Sequence, residues 1–315
     1  MKLPLASIVI SLYNEEGNLV KLFQELFKVE TALKDVVTFE YMCVNDGSTD
    51  ATLQTLQTLT STYPNINIYN LYRNFGHEVA MSAGMDNAQG DCVVFMDGDL
   101  QHPPYLVEEM VRSWLNGHQV VLTKKISNDV EKSYMYTIFS KTFYWVLDKL
   151  SDIKIPKSYP DFRLLSRKHI DTLKTMNEND RMFRGLLNYI GYANCKVLEF
   201  EVPKRFSGNT KYNFRKSFGL AIDSIMQFSI KPLRFAIYIG VLTAFISTML
   251  GAYTFFDYML FDVKRTGYAT TLIVTIFMNS IQLVVLGIIG EYIGKIHLEV
   301  KKRPLYFGEL VEHHH

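Results

Sequence analysis

Two acidic residues separated by a single glycine are the side chains in this chain best placed to do chemistry. Asp97, Gly98 and Asp99 follow the apolar run 92–96, which is typical of a buried strand in a parallel sheet. Both carboxylates are therefore expected at the carboxyl edge of that sheet, where open α/β sheets bind ligands. One or two carboxylates together with ligand phosphates suit Mg²⁺ or Mn²⁺. The spacing predicts a clamp that holds a metal ion against a diphosphate.

Alternating strand and helix patterns over the first 125 residues predict the sheet that positions these acids. Strands are expected at 6–12, 39–45, 66–72, 91–96 and 119–123. Helices are expected at about 15–33, at 77–88, at 103–116, and from the capping residues 48–50 to about 60. This β-α-β-α order indicates an α/β fold with a doubly wound, mostly parallel sheet. The chain contains neither a Gly-x-Gly-x-x-Gly motif nor a phosphate-binding Gly-x-x-x-x-Gly-Lys motif, which argues against dinucleotide and ATP binding.

Polar residues follow each of the first four predicted strands. They are the segments 13–16, 45–50 and 73–77, and the pair 97 and 99. Because the carboxyl ends of parallel strands meet at one edge, these segments are expected to line one pocket. Asp46 is placed to accept from an N–H of a base ring, and Glu15 from a ribose hydroxyl. Arg73 is expected to face phosphate, and Tyr13 and Asn14 complete the predicted nucleotide-sugar contacts.

Two long apolar segments near the end of the chain predict a transmembrane hairpin. The first, about 235–260, would span roughly 39 Å as a helix, and the second, about 269–290, roughly 31 Å. The flanking basic residues are Arg215, Lys216, Lys231, Arg234, Lys295, Lys301, Lys302 and Arg303. The connecting segment holds only Lys264 and Arg265. This asymmetry predicts that the catalytic domain and both termini are cytoplasmic.

The remaining boundaries follow from composition. Residues 1–212 are predicted to form the cytoplasmic domain, 213–231 an interfacial amphipathic helix, 232–296 the hairpin, and 297–312 a cytoplasmic tail. The last three residues, 313–315, are histidines that look like the remnant of a purification tag. A net charge of +1 and the lack of a long basic run argue against a nucleic-acid partner.

Several motifs resemble those of the inverting family 2 glycosyltransferases with the GT-A fold. They are Ile10–Glu16, Asn45–Asp50 and Met96–Gln101. Further motifs are similar to the polyprenyl-phosphate branch of that family, which includes the bactoprenol glucosyltransferases. These are Pro160–Leu165, Lys204–Tyr212, Gly287–Lys295 and Glu299–Pro304. One departure is Ser11, which stands where family members often have proline and is expected to change only the entry to the loop.

The resemblance implies inverting transfer of a sugar, glucose by first expectation, from a UDP-sugar to polyprenyl (undecaprenyl) phosphate. It implies a membrane-bound protein that contacts membrane lipids and assembles as a homo-tetramer. A Mg²⁺ or Mn²⁺ ion held by Asp99, with Asp97 and Gln101, would stabilise the leaving UDP. The resemblance also places the catalytic aspartate at Asp161, beside Arg163.

The acceptor would be a second anion in a site already rich in acids, so cations are needed to admit it. Arg205 and Lys211, in a glycine-containing loop before the membrane segment, are predicted to bind the acceptor phosphate. Lys125 is a further candidate for this contact. Because a phosphate monoester is already ionised at neutral pH, Asp161 is expected to orient the acceptor or act as a weak base.

Alternatives from other classes remain open. A membrane-tethered glycosyltransferase acting on a sugar hydroxyl would share most of these motifs, and a non-catalytic nucleotide-sugar-binding membrane protein would share the pocket. A processive polysaccharide synthase is disfavoured because its Gln-x-x-Arg-Trp motif is missing: neither Trp114 nor Trp145 follows an arginine. The identity of the sugar and the length of the lipid are not determined by the motifs.

Overall fold

The computed structural model describes residues 3–126, 159–176, 194–201, 229–261 and 267–311. Within that part of the chain, the fold has two compact units. The first contains residues 3–126, 159–176, 194–201 and 303–311, and the second contains 229–261 and 267–302. The predicted interfacial helix lies almost wholly outside the described residues, as do Arg205 and Lys211.

The first unit alternates strands and helices much as predicted. Its strands are β1 (Leu5–Leu12), β2 (Thr38–Asn45), β3 (Ile66–Leu71), β4 (Cys92–Asp97), β5 (Val120–Ile126), β6 (Arg163–Ser166), β7 (Cys195–Glu201) and β8 (Gly308–Val311). Its helices are α1 (Glu16–Leu33), α2 (Thr52–Thr62), α3 (His77–Asn87), α4 (Tyr105–Leu115) and α5 (Arg167–Thr175). The five strands and four helices predicted for the first 125 residues are confirmed, with ends that shift by no more than a few residues.

These strands form one eight-stranded sheet in the order β7-β5-β6-β4-β1-β2-β3-β8. Neighbours β4, β1, β2 and β3 are parallel, whereas β6 runs antiparallel to both β4 and β5. The reversed direction of β6 matters for function, because its amino end lies at the same edge as the carboxyl ends of β1 to β5. The segment that leads into β6 therefore joins the polar loops at that edge.

Side-chain alternation along β1 explains how helices cover both faces of the sheet. Ile8, Ile10 and Leu12 belong to the larger apolar core, together with α1 residues such as Leu19 and Leu22. Val9, Ser11 and other odd-numbered residues point to the opposite face, where α3 lies. At Gly84 of α3 an added Cβ would lie 2.3 Å from a Val9 methyl carbon, so the helix sits directly on β1.

The C-terminal segment, for which a cytoplasmic tail is predicted, contributes the edge strand β8. This strand runs antiparallel to β3, and Gly308 fits so closely that an added Cβ would lie 2.5 Å from the Asn70 carbonyl oxygen. Just before it, the Tyr306 hydroxyl donates to Asp86 at 3.1 Å, and the Tyr306 ring packs edge-on against Tyr69. The short β8 pattern is too weak to be recognised without its partner strand.

The second unit contains two long helices, α6 (Lys231–Phe261) and α7 (Tyr268–Val300). Each includes a 27-residue stretch, Lys231–Asp257 and Val274–Val300, that is long and apolar enough to cross a bilayer, and these stretches are at most 6% buried. Large apolar side chains exposed along their whole length are expected to contact lipid rather than water. Both predicted apolar helices are therefore confirmed, although α7 extends ten residues further than expected.

Candidate active site

The loops after β1 and β2 interlock through side-chain to backbone hydrogen bonds. Asn14, in a left-handed backbone conformation with φ of 57°, accepts from the Thr49 N–H at 2.8 Å, and its own N–H donates to Ser48 Oγ at 3.0 Å. The Glu15 N–H donates to Thr52 Oγ1 at 2.9 Å. Asn14 is thus a structural link between two loops of the pocket, and these bonds fix where the Glu15 side chain leaves the backbone.

Asp46 holds the loop between β3 and α3. One of its carboxylate oxygens accepts from the Phe75 N–H at 2.7 Å, and the other accepts from the Gly76 N–H at 3.0 Å. The side chain is buried, and burial raises its pKa even though the two amide donors act in the opposite direction. At Gly47 the same loop comes so close that an added Cβ would lie 2.4 Å from the Arg73 carbonyl carbon. The structure therefore gives Asp46 a role in holding this loop.

The turn after β4 carries the acidic pair Asp97 and Asp99. Asp97 Oδ1 is buried and has no hydrogen-bond partner among the described residues, whereas Asp99 Oδ1 accepts from the Gln101 N–H at 3.0 Å. An added Cβ on Gly98 would lie 2.3 Å from Leu12 and 3.7 Å from Glu15 Cγ. This close approach places the Glu15 side chain beside the acidic turn, as the predicted pocket requires.

His102 contacts the acidic turn through the backbone of Asp97. Its Nδ1 accepts a hydrogen bond from the Asp97 N–H at 3.0 Å, and its ring stacks on Phe162 with centroids 4.9 Å apart. Burial is the main reason that the pKa of His102 is lowered, although nearby Asp97 acts against it and Lys125 acts with it. The ring is therefore neutral and carries its proton on Nε2, so its 3.7 Å approach to Asp97 Oδ2 is not an ion pair.

His77, at the start of α3, lies between two carboxylates that are far apart in sequence. Its Nδ1 is 3.6 Å from Asp97 Oδ1 and 2.9 Å from Ser11 Oγ, and its Nε2 is 3.7 Å from Asp161 Oδ2. Burial lowers the pKa of His77, but the charges of Asp97 and Asp161 raise it more, to about 9. The ring therefore carries a positive charge at neutral pH.

From sequence, this histidine appeared only as the last residue of the polar segment 73–77 and received no role. The 66 residues that separate it from Ser11 hide the contact. The expectation for Ser11 concerned only the entry to the loop and did not include this contact of its hydroxyl with the His77 ring.

Asp161 and Arg163 form a buried pair at the amino end of β6. The guanidinium Nη2 donates to Asp161 Oδ1 at 2.5 Å and to the Pro160 carbonyl at 3.1 Å. Asp161 is 7% exposed and Arg163 is 4% exposed. With Arg163 on one oxygen and His77 near the other, the Asp161 carboxylate is oriented from two sides. Sequence reasoning paired these two residues, and the structure places Asp161 and Asp97 at the two nitrogens of the His77 ring.

The acidic turn offers carboxylate oxygens, which are suitable ligands for Mg²⁺ or Mn²⁺, but it does not supply a complete set of ligands. No cluster of three or more His, Cys, Asp or Glu side chains able to hold a metal occurs among the residues that the structure describes. Two carboxylates, one with a buried oxygen that accepts no hydrogen bond from the described residues, fit an ion whose other ligands would be phosphate oxygens and water. Asp97, Asp99 and Gln101 lie together on this turn, where the Gln101 N–H donates to Asp99 Oδ1, and their role as metal ligands stays a prediction.

The other predicted site residues that the structure describes lie at or near the carboxyl ends of the strands. Tyr13 is exposed, and the Arg73 guanidinium carbon lies 4.1 Å above the Phe75 ring. Lys125 is near the end of β5, close enough to His102 to affect its pKa. A small cleft between α3 and β6 is lined by residues that include Asp161 and Arg163. The structure thus gathers the predicted residues that it describes at one sheet edge.

Comparison with known proteins agrees with this geometry. The family model for "Glycosyl transferase family 2" matches residues 7–174, and the family model for "GtrB C-terminal hairpin" matches residues 231–296. A Synechocystis sp. protein named as an uncharacterized glycosyltransferase is 41% identical over 300 residues, 95% of this chain and 93% of the relative. The prophage bactoprenol glucosyl transferase homolog of Escherichia coli K12 is 33% identical, covering 97% and 99% of the two chains. The bactoprenol glucosyl transferase of Shigella phage SfII is 34% identical, covering 95% and 96%. The chain belongs to glycosyl transferase family 2 and carries the GtrB C-terminal hairpin.

Proposed function

We propose that this glycosyltransferase moves a sugar, glucose by first expectation, from a UDP-sugar to a polyprenyl phosphate, with inversion at the anomeric carbon. The observation that carries the proposal is the presence, in one chain, of an acid-lined transferase site and two apolar helices of membrane length. An enzyme with a lipid acceptor benefits from residing in the bilayer that holds the lipid. The relatives named as bactoprenol glucosyl transferases support the same class of acceptor.

The reaction requires one bond to form and one to break. An oxygen of the acceptor phosphate attacks the anomeric carbon while the bond from that carbon to the β-phosphate oxygen of UDP breaks, and the bonding electrons leave with UDP. The acceptor phosphate is a dianion for much of the time at neutral pH, since its second pKa is about 6. No proton has to be removed from the nucleophile.

Asp161 suits such a reaction better than one that needs a strong base. Its Oδ1 accepts a 2.5 Å hydrogen bond from Arg163, and its Oδ2 faces the charged His77 ring at 3.7 Å. A carboxylate with a guanidinium on one oxygen and an imidazole facing the other is placed to orient a group beside it. This arrangement favours a phosphate acceptor over a sugar hydroxyl, and gives Asp161 an orienting role.

The donor is expected to bind across the loops after β1, β2, β3 and β4. Asp97 and Asp99 are the residues that would hold a Mg²⁺ or Mn²⁺ ion. When bound, that ion would act as a Lewis acid for the negative charge that develops on UDP. Glu15 is placed beside the acidic turn to accept from a ribose hydroxyl, and the loop held by Asp46 would form the floor for the base.

The distribution of Lys and Arg leads us to propose that the catalytic unit and both chain ends face the cytoplasm. Single cysteines introduced at the exposed Lys28 and in the segment 261–268 would test this in sealed membrane vesicles of known orientation. We expect a membrane-impermeant thiol reagent to label the two positions from opposite sides. Labelling from the same side would contradict the proposed topology.

The proposed reaction is tested with the full-length protein in detergent. A panel of UDP-sugars is incubated with Mg²⁺ or Mn²⁺ and undecaprenyl phosphate, and the lipid extract is analysed by mass spectrometry. We expect a lipid product heavier by one hexose unit and stoichiometric release of UDP. Undecaprenol, which lacks the phosphate, and free glucose serve as matched acceptors. Transfer to either of these, with none to the lipid phosphate, would favour the hydroxyl-acceptor alternative and refute the proposal.

A further inference from the structure

Three residues at the site come from distant parts of the chain and meet through one imidazole ring. Ser11 is on β1, His77 starts α3, and Asp161 precedes β6. The ring contacts Ser11 Oγ through Nδ1 at 2.9 Å and faces Asp161 Oδ2 through Nε2 at 3.7 Å. The two nitrogens therefore have separate partners, so Ser11 limits rotation of the ring and the ring in turn faces the Asp161 carboxylate.

The fold explains why Ser11 reaches the ring. Ser11 is paired in register with Asp97 across β1 and β4, so both side chains lie on the face of the sheet that α3 covers. Two residues earlier on the same face, Val9 touches Gly84 of α3, which seats the helix directly on the strand. His77 lies about two helical turns before Gly84, nearer the sheet edge, and this seating places it over Ser11.

The Asp161 carboxylate is approached from two sides. Arg163 donates to one of its oxygens, Oδ1. The His77 Nε2 approaches the other oxygen from the α3 side, whereas Arg163 approaches from the same β-strand segment as Asp161 itself. The guanidinium and the imidazole together define the plane of the carboxylate.

We propose that His77, held in place by Ser11, is a positioning residue that orients Asp161 for the transfer step. This inference rests on the proposed function in that it takes Asp161 to contact the acceptor side of the reaction. It assigns a use to the Ser11 hydroxyl, which contacts the ring. It predicts that the pair affects turnover more than donor binding.

The main test is Ser11→Ala, with Ser11→Thr as the conservative variant. Ser82→Ala is the matched control, because Ser82 lies on α3 and its hydroxyl donates to the Glu78 carbonyl of its own helix at 2.9 Å. We expect Ser11→Ala to lower kcat roughly twofold to tenfold, the effect of one lost hydrogen bond. The KM for the UDP-sugar and the Kd for UDP measured by calorimetry should change less than about twofold, since the donor loops keep their contacts. Ser11→Thr should restore kcat, and Ser82→Ala should leave it unchanged.

Two replacements of His77 separate the functions of its two nitrogens. The amide of Gln reaches the position of Nε2, next to Asp161, whereas the amide of Asn reaches only that of Nδ1, next to Ser11. If orienting Asp161 is what matters, His77→Gln retains at least a few times more kcat than His77→Asn. Equal kcat values for the two variants, or a wild-type kcat for Ser11→Ala, would overturn the inference.

The outcome remains separable from that of the proposed function. Should the wild-type protein transfer sugar to an acceptor other than polyprenyl phosphate, the same variants are compared with that acceptor, and the positioning role is tested there. If a His77 variant fails to fold, as judged by thermal unfolding in detergent, the Ser11→Ala, Ser11→Thr and Ser82→Ala comparison decides alone. A parallel loss of kcat and UDP affinity in Ser11→Ala would indicate a general structural role and refute the inference.

Discussion

Replacing Asp46 by Asn tests whether this buried carboxylate holds the loop after β3 or contacts the nucleotide itself. The change preserves size but leaves only one oxygen to accept from the two N–H groups that now bind at 2.7 and 3.0 Å. The Asn oxygen is expected to keep the shorter bond, to Phe75. Its amide group would then face the Gly76 N–H, which would lose its acceptor.

The size of the effect follows from two opposing contributions. A hydrogen bond to a charged group contributes roughly 1.5–3 kcal/mol, and losing it leaves a buried N–H unsatisfied. Against this, burial raises the pKa of Asp46, which means that the charge is costly to bury and that a neutral amide relieves part of the cost. We expect a net loss of about 1–2 kcal/mol in the stability of the loop. If UDP binds only to the ordered loop, its Kd should rise roughly fivefold to thirtyfold.

The assay is calorimetric titration of the full-length protein with UDP and Mn²⁺, together with thermal unfolding. Asp91→Asn is the matched control, because Asp91 accepts from the Leu5 N–H at 2.8 Å at the opposite edge of the sheet. It should leave the UDP affinity unchanged. Wild-type affinity and unfolding temperature for Asp46→Asn would refute the loop-holding role. Complete loss of UDP binding at an unchanged unfolding temperature would instead support the direct contact predicted from sequence.

Three further perturbations test other parts of the site and its scaffold. Asp99→Ala should lower Mn²⁺-dependent UDP release by roughly a hundredfold or more, because a metal ligand at the leaving group is lost; full activity would refute the metal assignment. Gly308→Val should lower the thermal unfolding midpoint, because even its Cβ would lie 2.5 Å from the Asn70 carbonyl; an unchanged midpoint would show that β8 contributes little. The His77 ring should titrate near pH 9 by NMR in the ligand-free protein, and Asp97→Asn should lower that pKa. Because the pKa of His77 is raised, the stability that its charge contributes is complete below about pH 6.5 and is lost as the pH rises through about 9.

The parts of the fold that could be predicted are those with a local signal. Apolar runs such as 92–96 can be recognised as buried strands even when the partner strand is unknown. Asp97 and Asp99 directly follow such a run, so their position at the end of a strand can also be predicted from local sequence. The two apolar helices are long enough to be recognised by length alone. The C-terminal strand β8 has four residues and gains its identity only from pairing with β3, so no pattern within it could reveal the strand.

Loop partners could not be predicted for the same reason. Asp46 and Asn14 were assigned to the nucleotide because polar residues at a sheet edge usually serve a ligand. The structure shows that both make hydrogen bonds to neighbouring loops, over separations of about 30 residues. A carboxylate that satisfies backbone N–H groups and one that waits for a ligand look identical in sequence. Only the positions of the loops distinguish them.

His77 shows what kind of residue such reasoning misses. A histidine at the start of a helix is unremarkable in sequence, and its partners Ser11, Asp97 and Asp161 are contributed by three other segments. Its contacts arise because β6 runs opposite to β4, which brings Asp161 to the edge where Asp97 already lies. Two acids converging there would repel each other unless a cation lay between them. The topology of the sheet thus creates the need for a positive charge at this point. A search for acids that meet at the carboxyl edge, combined with the strand order, would have pointed to His77.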